Sequence, residues 1–190
     1  MNLEKIQSRL SAQLTPKRFE HSLGVMDLAV KLAPIYQIPP EPPRIAGLLH
    51  DVARELPAQE LLSLAHDFQI PVLEIEEQIP VLLHGKVGVE ILKREWGILD
   101  PDILQAISLH VTGAPEMSIL SQIIFIADFA EPGRGLIFSD IAKKLAFVDR
   151  CSALSYIFDQ QIMYILNSGC LLHPNTIEAR NKLIMTGSLS

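Results

Sequence analysis

The chain has 190 residues, the size of one ordinary domain and long enough to bury a continuous core. Hydrophobic residues make up 48% and aromatic residues only 6%, which excludes a disordered chain and predicts a mostly aliphatic interior. A net charge of −6 without a run of five or six like charges lacks the footprint of a nucleic-acid or anionic-membrane binder, and two cysteines, Cys151 and Cys170, exclude a disulfide framework and fit a reducing cytoplasm.

The N-terminus, Met1-Asn2-Leu3-Glu4-Lys5, lacks the basic-then-apolar pattern of a signal peptide. Thr15-Pro16 reads as an N-cap followed by proline at the first helical position, and Val25, Leu28, Ala29 and Leu32 then recur at helical spacing toward Tyr36. Prolines 39, 40, 42 and 43 separate this helix from a short apolar one, which runs from about Pro43 through Ile45, Ala46, Leu48 and Leu49 into His50-Asp51. Pro57 opens another around Leu61, Leu62 and Leu64, and two more are predicted at 85–95 and 100–110, the second introduced by the cap Asp100-Pro101. Ser118 caps a strongly apolar helix that ends near Asp128; Gln122 and Asp128 interrupt it, so no membrane span is expected. Later helices are predicted over 137–148, 149–167 and 174–185. No hairpin signal, fixed repeat or linker-like shift in composition occurs. The expectation is an all-α helical bundle, a single domain over residues 1–190.

Polar residues stand where this pattern calls for apolar ones. His21 lies on the Val25–Leu28–Leu32 stripe, so its imidazole should point inward; His50 and Asp51 end an apolar helix, His84 closes Ile79-Pro-Val-Leu-Leu, and His110 shares the Ile103–Ile107 face. Asp128 follows Ile123-Ile124-Phe125-Ile126-Ala127 and would bury a carboxylate, at a cost of several kcal/mol unless a cation or several donors compensate. A lone histidine on an apolar face is usually a hydrogen-bonded core residue. Four of the six histidines and two aspartates at the inward faces or ends of five helices instead match the way bundles assemble metal sites. Imidazole with carboxylate suits iron, zinc or manganese better than magnesium or calcium. His66 reads as a surface residue, and His173, in Leu171-Leu172-His173-Pro174-Asn175-Thr176, as the start of a helix. Arg18, one turn before His21, and Arg134, shortly after Asp128, could bring guanidinium groups to the same mouth, where phosphate is their natural ligand.

The ordered set His21, His50-Asp51, His84, His110, Asp128 resembles the signature of the HD-domain superfamily. The strings Leu48-Leu49-His50-Asp51-Val52-Ala53, Leu83-His84-Gly85, His110-Val111-Thr112-Gly113 and Ala127-Asp128-Phe129-Ala130-Glu131-Pro132-Gly133-Arg134 resemble its bacterial YqeK family. The resemblance runs from Arg18 to Thr176 and implies symmetrical hydrolysis of diadenosine tetraphosphate to two ADP at an iron site, with manganese, cobalt or zinc as alternatives. By position it assigns His21, His50, Asp51 and Asp128 to the metal. It assigns Arg18, His84, His110, Asp128, Phe129, Arg134 and the residues Leu171, Leu172, His173, Pro174, Asn175 and Thr176 to the nucleotide. Asp51 or Asp128 would orient or deprotonate the attacking water, and His84 and His110 would neutralise phosphate charge; many HD enzymes instead give those two histidines to a second metal. Arg54 stands where many HD proteins have lysine, and Val111 replaces a threonine common in the family. Other readings are a different HD-domain nucleotide phosphohydrolase or phosphodiesterase, and a non-catalytic nucleotide-binding assembly factor. The expected partner is a small nucleotide rather than nucleic acid or membrane, and a homodimer stays open.

Overall fold

The computed structural model describes residues 3–189, and helical periodicity, punctuated by proline and polar caps, divides these described residues into eleven α-helices. Met1 and Asn2 of the N-terminal stretch considered above lie outside the described residues. In chain order the helices are α1 (Leu3–Ser11), α2 (Pro16–Leu32), α3 (Glu41–Leu49), α4 (Ala58–Asp67), α5 (Glu74–Gln78), α6 (His84–Ile91), α7 (Pro101–Leu109), α8 (Ile119–Ala130), α9 (Ile137–Ala146), α10 (Arg150–Asn167) and α11 (Pro174–Thr186). No strand occurs among the described residues, so the fold class is all-α, as the periodicity predicts. None of the described helices is long and apolar enough to cross a membrane.

Three caps form where the sequence places them. Thr15 accepts from the Arg18 amide, Asp100 from the amides of Asp102 and Ile103, and Ser118 from the Ser121 amide. Each satisfies helix-end donors that have no partner within the helix. α3 begins two residues earlier than the expected Pro43, because prolines in a first turn forfeit no helical hydrogen bond. The helix expected over 85–95 is α only to Ile91 and finishes as a π-turn, Leu92–Trp96, closed by Gly97 at φ 66°. α1, α5 and the 3-10 turns Pro80–Leu83 and Pro132–Arg134 were not expected; each is too short to show more than one or two apolar repeats.

α8 is the hub. Nearly all of its residues are buried, and it packs against α2, α3, α7, α9 and α10. Each fully buried Ile or Phe on it contributes roughly 1.5–3 kcal/mol, so the helix is held firmly enough to carry a charged residue in its last turn. The interior is aliphatic apart from a few rings, chiefly Phe125 against Phe158 at 4.8 Å between centroids. α2 lies on α3 at very close range: a Cβ at Gly47 would stand 2.8 Å from the Met26 Cα. That approach brings the end of α3 beside the middle of α2.

Candidate metal centre

Six side chains from separate stretches of chain meet at one end of this contact: His21 from α2, His50 and Asp51 from the end of α3, His84 from the start of α6, His110 from the end of α7 and Asp128 from the last turn of α8. Asp51 is central. Its Oδ2 lies 3.8 Å from His21 Nε2 and 3.3 Å from His50 Nε2, while its Oδ1 lies 3.2 Å from His84 Nε2 and 3.5 Å from His110 Nε2. Asp128 Oδ1 approaches His21 Nε2 to 3.0 Å and His50 Nε2 to 3.8 Å. Within each of the groups His21–His50–Asp51, His50–His110–Asp128 and Asp51–His84–His110 the donor atoms all lie within 4.8 Å of one another.

Every imidazole turns Nε2 inward because Nδ1 is engaged behind it. His50 Nδ1 donates to the Gly47 carbonyl at 2.8 Å, His84 Nδ1 to Val81 at 2.5 Å and His110 Nδ1 to Ile107 at 2.7 Å. His50 and His110 cap the ends of α3 and α7, and His84 follows the 3-10 turn Pro80–Leu83; at such ends carbonyls lack a helical partner, and a histidine three residues on can fold back to supply one. Gly85 brings this corner together: a Cβ there would stand 2.9 Å from the carbonyls of Ile107 and Ser108 in α7. His21, in mid-helix, places Nδ1 3.0 Å from Glu131 Oε1 instead.

The electrostatics favour charged carboxylates. Burial pushes the Asp51 carboxyl up, but the charge of His50 and contacts from His110, His50 and His84 outweigh it and hold the group well below the usual carboxylate range. Burial likewise opposes ionisation of Asp128, and His21 and Arg134 overcome it. Burial works against a charge on His21 and His50 too, yet their carboxylate neighbours, Asp128 with Glu131 and Asp51 with Asp128, leave both raised. At His84 burial prevails and the pKa falls.

A cation fits these donors. His21 Nε2 and His50 Nε2 are buried and have no hydrogen-bond partner, although carboxylate oxygens lie nearby; buried polar atoms in that state are rare and call for a ligand. With Nδ1 donating, each neutral Nε2 offers a lone pair, the form in which imidazole binds metal. His84 Nε2 and His110 Nε2 sit 2.9 Å apart, and since both rings spend their Nδ1 hydrogen on a carbonyl, that contact requires a proton or a second cation between them.

A cavity of about 310 Å³ opens over the cluster, lined by Asp51, His84, His110 and Asp128 and by the guanidinium-bearing Arg18, Arg54 and Arg134. Arg18 Nη1 pairs with Asp51 Oδ2 at 2.8 Å, and Arg134 Nη2 with Asp128 Oδ1 at 2.6 Å. Asp128 is less enclosed than its apolar neighbours suggest: its side chain is 21% exposed, on the cavity wall. Phe129 and the stretch Leu171–Thr176 do not line this cavity. The stretch is pinned beside it: Thr176 Oγ1 donates to the Thr112 carbonyl at 2.9 Å, His173 is buried 3.6 Å from Glu76 Oε1, and Leu171 is exposed. His66 is solvent-exposed, as expected. Two residues carry more of the site than the sequence suggested. Arg54 faces the cavity with no ion pair among the described residues, its signal being a cation one turn past His50-Asp51; buried Glu131 gave only its place in a distinctive string.

The sequence pattern of the HD domain matches residues 18–132, the stretch that contains all six clustered side chains. The symmetrical bis(5'-nucleosyl)-tetraphosphatase of Bacillus subtilis is 32% identical over 97% of this chain and 98% of its own length. The protein of the same name from Staphylococcus aureus is 30% identical over 95% of this chain and 94% of its own length. Among solved structures, a predicted HD superfamily hydrolase involved in NAD metabolism from Clostridium acetobutylicum superposes with a TM-score of 0.94 at 43% identity, covering 97% of this chain and 98% of that one. With the signature residues gathered in space and the similarity running nearly end to end, this chain belongs to the HD-domain family.

Proposed function

We propose that the protein hydrolyses diadenosine tetraphosphate symmetrically to two ADP at a metal ion held by His21, His50, Asp51 and Asp128. The observation that carries this reading is the convergence of His21 and His50 Nε2, which have no hydrogen-bond partner, on ionised Asp51 and Asp128, two carboxylates that line a cavity walled by three arginines. Full-length relatives bearing the tetraphosphatase name supply the substrate class. The donor set suits iron, manganese, cobalt or zinc, and iron is the ion we assign on the family resemblance. Such an ion, when bound, polarises a phosphoryl oxygen and lowers the pKa of a water toward about 7.

The chain's own groups do the rest. Arg18, Arg54 and Arg134 bind the polyphosphate and hold it in the cavity; a guanidinium can take two phosphate oxygens at once. Asp51 and Asp128, kept ionised by their neighbours, accept hydrogen bonds from the attacking water and orient it. His84 and His110 face the same cavity, where the proton or second cation between them would offset charge on the phosphates. The cavity, at the small end of the range for ligand sites, has room for the phosphates, so the nucleosides extend over its rim. Leu171–Thr176, braced against Thr112, is the segment we assign to the nucleoside there. We place the enzyme in the cytosol, where its two free cysteines stay reduced.

Chromatography of the products of diadenosine tetraphosphate, with iron, manganese, cobalt, zinc or magnesium added under anaerobic conditions, tests the proposal. ADP as sole product is expected. AMP with ATP would mean another cleavage mode, and bound metal without product would leave a nucleotide-binding protein.

A further inference from the structure

Three imidazoles of the centre lean on carbonyls of their own segment, whereas His21 stands mid-helix, where backbone carbonyls are already bonded along α2. Its Nδ1 depends on a side chain, Glu131, the residue just past α8. That carboxylate is 3% exposed, and its two oxygens serve two donors: Oε1 takes His21 Nδ1 at 3.0 Å and Oε2 takes the Gly133 amide at 2.5 Å. The Gly133 contact shapes the turn Pro132–Arg134, from which Arg134 returns to Asp128 through its carbonyl at 2.5 Å and its carboxylate at 2.6 Å.

We propose that Glu131 is a positioning residue that fixes His21 with its Nε2 lone pair toward the metal and, through the same carboxylate, seats Arg134 at the cavity. The inference rests on the metal site proposed above. With Oε2 accepting from the Gly133 amide and Oε1 facing Nδ1, a hydrogen on Nδ1 completes the contact and leaves the lone pair on Nε2. Glutamine would turn an NH₂ toward one of the two N–H groups, and since one side-chain end serves both donors, its displacement would loosen the ligand and the turn together.

Glu131 is absent from the lining of the substrate cavity. It lines a separate hollow of about 230 Å³ together with Gly24 and Gly133. Gly24 lies one turn after His21 on the same face of α2, and a Cβ there would stand 2.5 Å from Glu131 Oε2. Alanine at Gly24 therefore displaces the carboxylate from behind without touching a metal ligand or the cavity lining.

The test uses the full chain, stripped of metal, titrated with Mn²⁺ by calorimetry and then assayed for kcat and KM. Glu131→Gln is expected to weaken Mn²⁺ by roughly 10–100-fold, the usual scale for losing a group that orients a metal ligand. At saturating Mn²⁺ its kcat recovers while KM stays raised, because the seat of Arg134 is still loosened. Gly24→Ala shifts affinity in the same direction, and the double variant loses less than the sum of the two, since both changes act on His21 through the same side chain. Wild-type affinity in Glu131→Gln with its helical spectrum intact, or additive losses in the double variant, would overturn the proposal. Affinity is read on the metal alone, so a wild-type protein that binds Mn²⁺ but leaves the dinucleotide intact counts against the reaction and not against Glu131.

Discussion

His50, His84 and His110 present the same atom inward as His21, but the three and the one are held by different means. The three are braced by backbone carbonyls at helix or turn ends, on segments brought together by the tight contacts at Gly47 and Gly85. His21, with Asp128, Arg134 and Arg18, is braced by side chains: Glu131 behind the ring, and arginines on the carboxylates. A ring leaning on backbone moves only if a helix moves, so perturbations of that set should register as lost stability. A ring leaning on a carboxylate can lose its support while the core stays packed, so perturbations of the other set should register in metal affinity and KM.

The largest effect is expected where the two sets meet. Asp51→Asn and Asp128→Asn should keep the fold but lose metal, since an amide of similar size is a poor ligand, and kcat should fall by at least about a hundredfold. Metal analysis of the purified variants checks this, and retained metal in Asp128→Asn would remove that residue from the site. The contrast itself is tested by a pair of alanines on helices that touch. Gly47→Ala drives a Cβ against the Met26 backbone, which cannot yield locally, and should cost about 1–3 kcal/mol or more by denaturant unfolding. Gly24→Ala meets only the movable end of Glu131, and its gain in helix propensity, up to about 1 kcal/mol, should leave stability close to wild type. Equal stability losses in the two would erase the distinction; buried Trp96, the single tryptophan, reports both transitions by its emission.

Arg134→Gln removes a charged hydrogen-bonding group worth about 1.5–3 kcal/mol, so KM should rise by roughly ten- to a hundredfold with metal content unchanged. Loss of metal in that variant would mean that the hold of Arg134 on Asp128 matters more than its contact with phosphate. Proton competition should be milder. His21 and His50 titrate above the ordinary histidine value of 6.5 in the metal-free protein, and metal needs them neutral. Affinity should therefore fall as pH drops through that raised range, by at most about tenfold per unit for each imidazole, and an affinity flat between about pH 6 and 8 would contradict it.

The smallest effect concerns Glu55, whose carboxylate accepts from the Thr15 amide at 2.7 Å and hydroxyl at 2.6 Å and so ties the start of α2, and with it Arg18, to the segment after Asp51. Burial opposes its charge, but the two Thr15 contacts and the charge of Arg18 together outweigh it and hold its pKa below the ordinary 4.5. Its contribution is complete above that value and is lost as pH falls through the lower folded value. It is exposed, so Glu55→Gln should cost under about 1 kcal/mol, visible as a flatter acid limb of stability in the variant.

The sequence by itself determined a good deal of this. The helix starts at Thr15, Asp100 and Ser118 were legible because a cap is a local contact within three residues. The ligand candidates were legible because a histidine or aspartate on an apolar stripe violates a pattern that spans one helix. Arg54 could be suspected from its place after Asp51, but its unpaired guanidinium over the cavity could not. Only the tertiary structure decided which way each ring faces, that Asp51 lies between two pairs of imidazoles, and that Asp128 looks onto open space rather than core. It alone joined Glu131 to a histidine 110 positions earlier and kept Leu171–Thr176 off the cavity lining. Such contacts depend on how closely two helices approach, which the volume of Gly24, Gly47 and Gly85 sets only against neighbours distant in the chain.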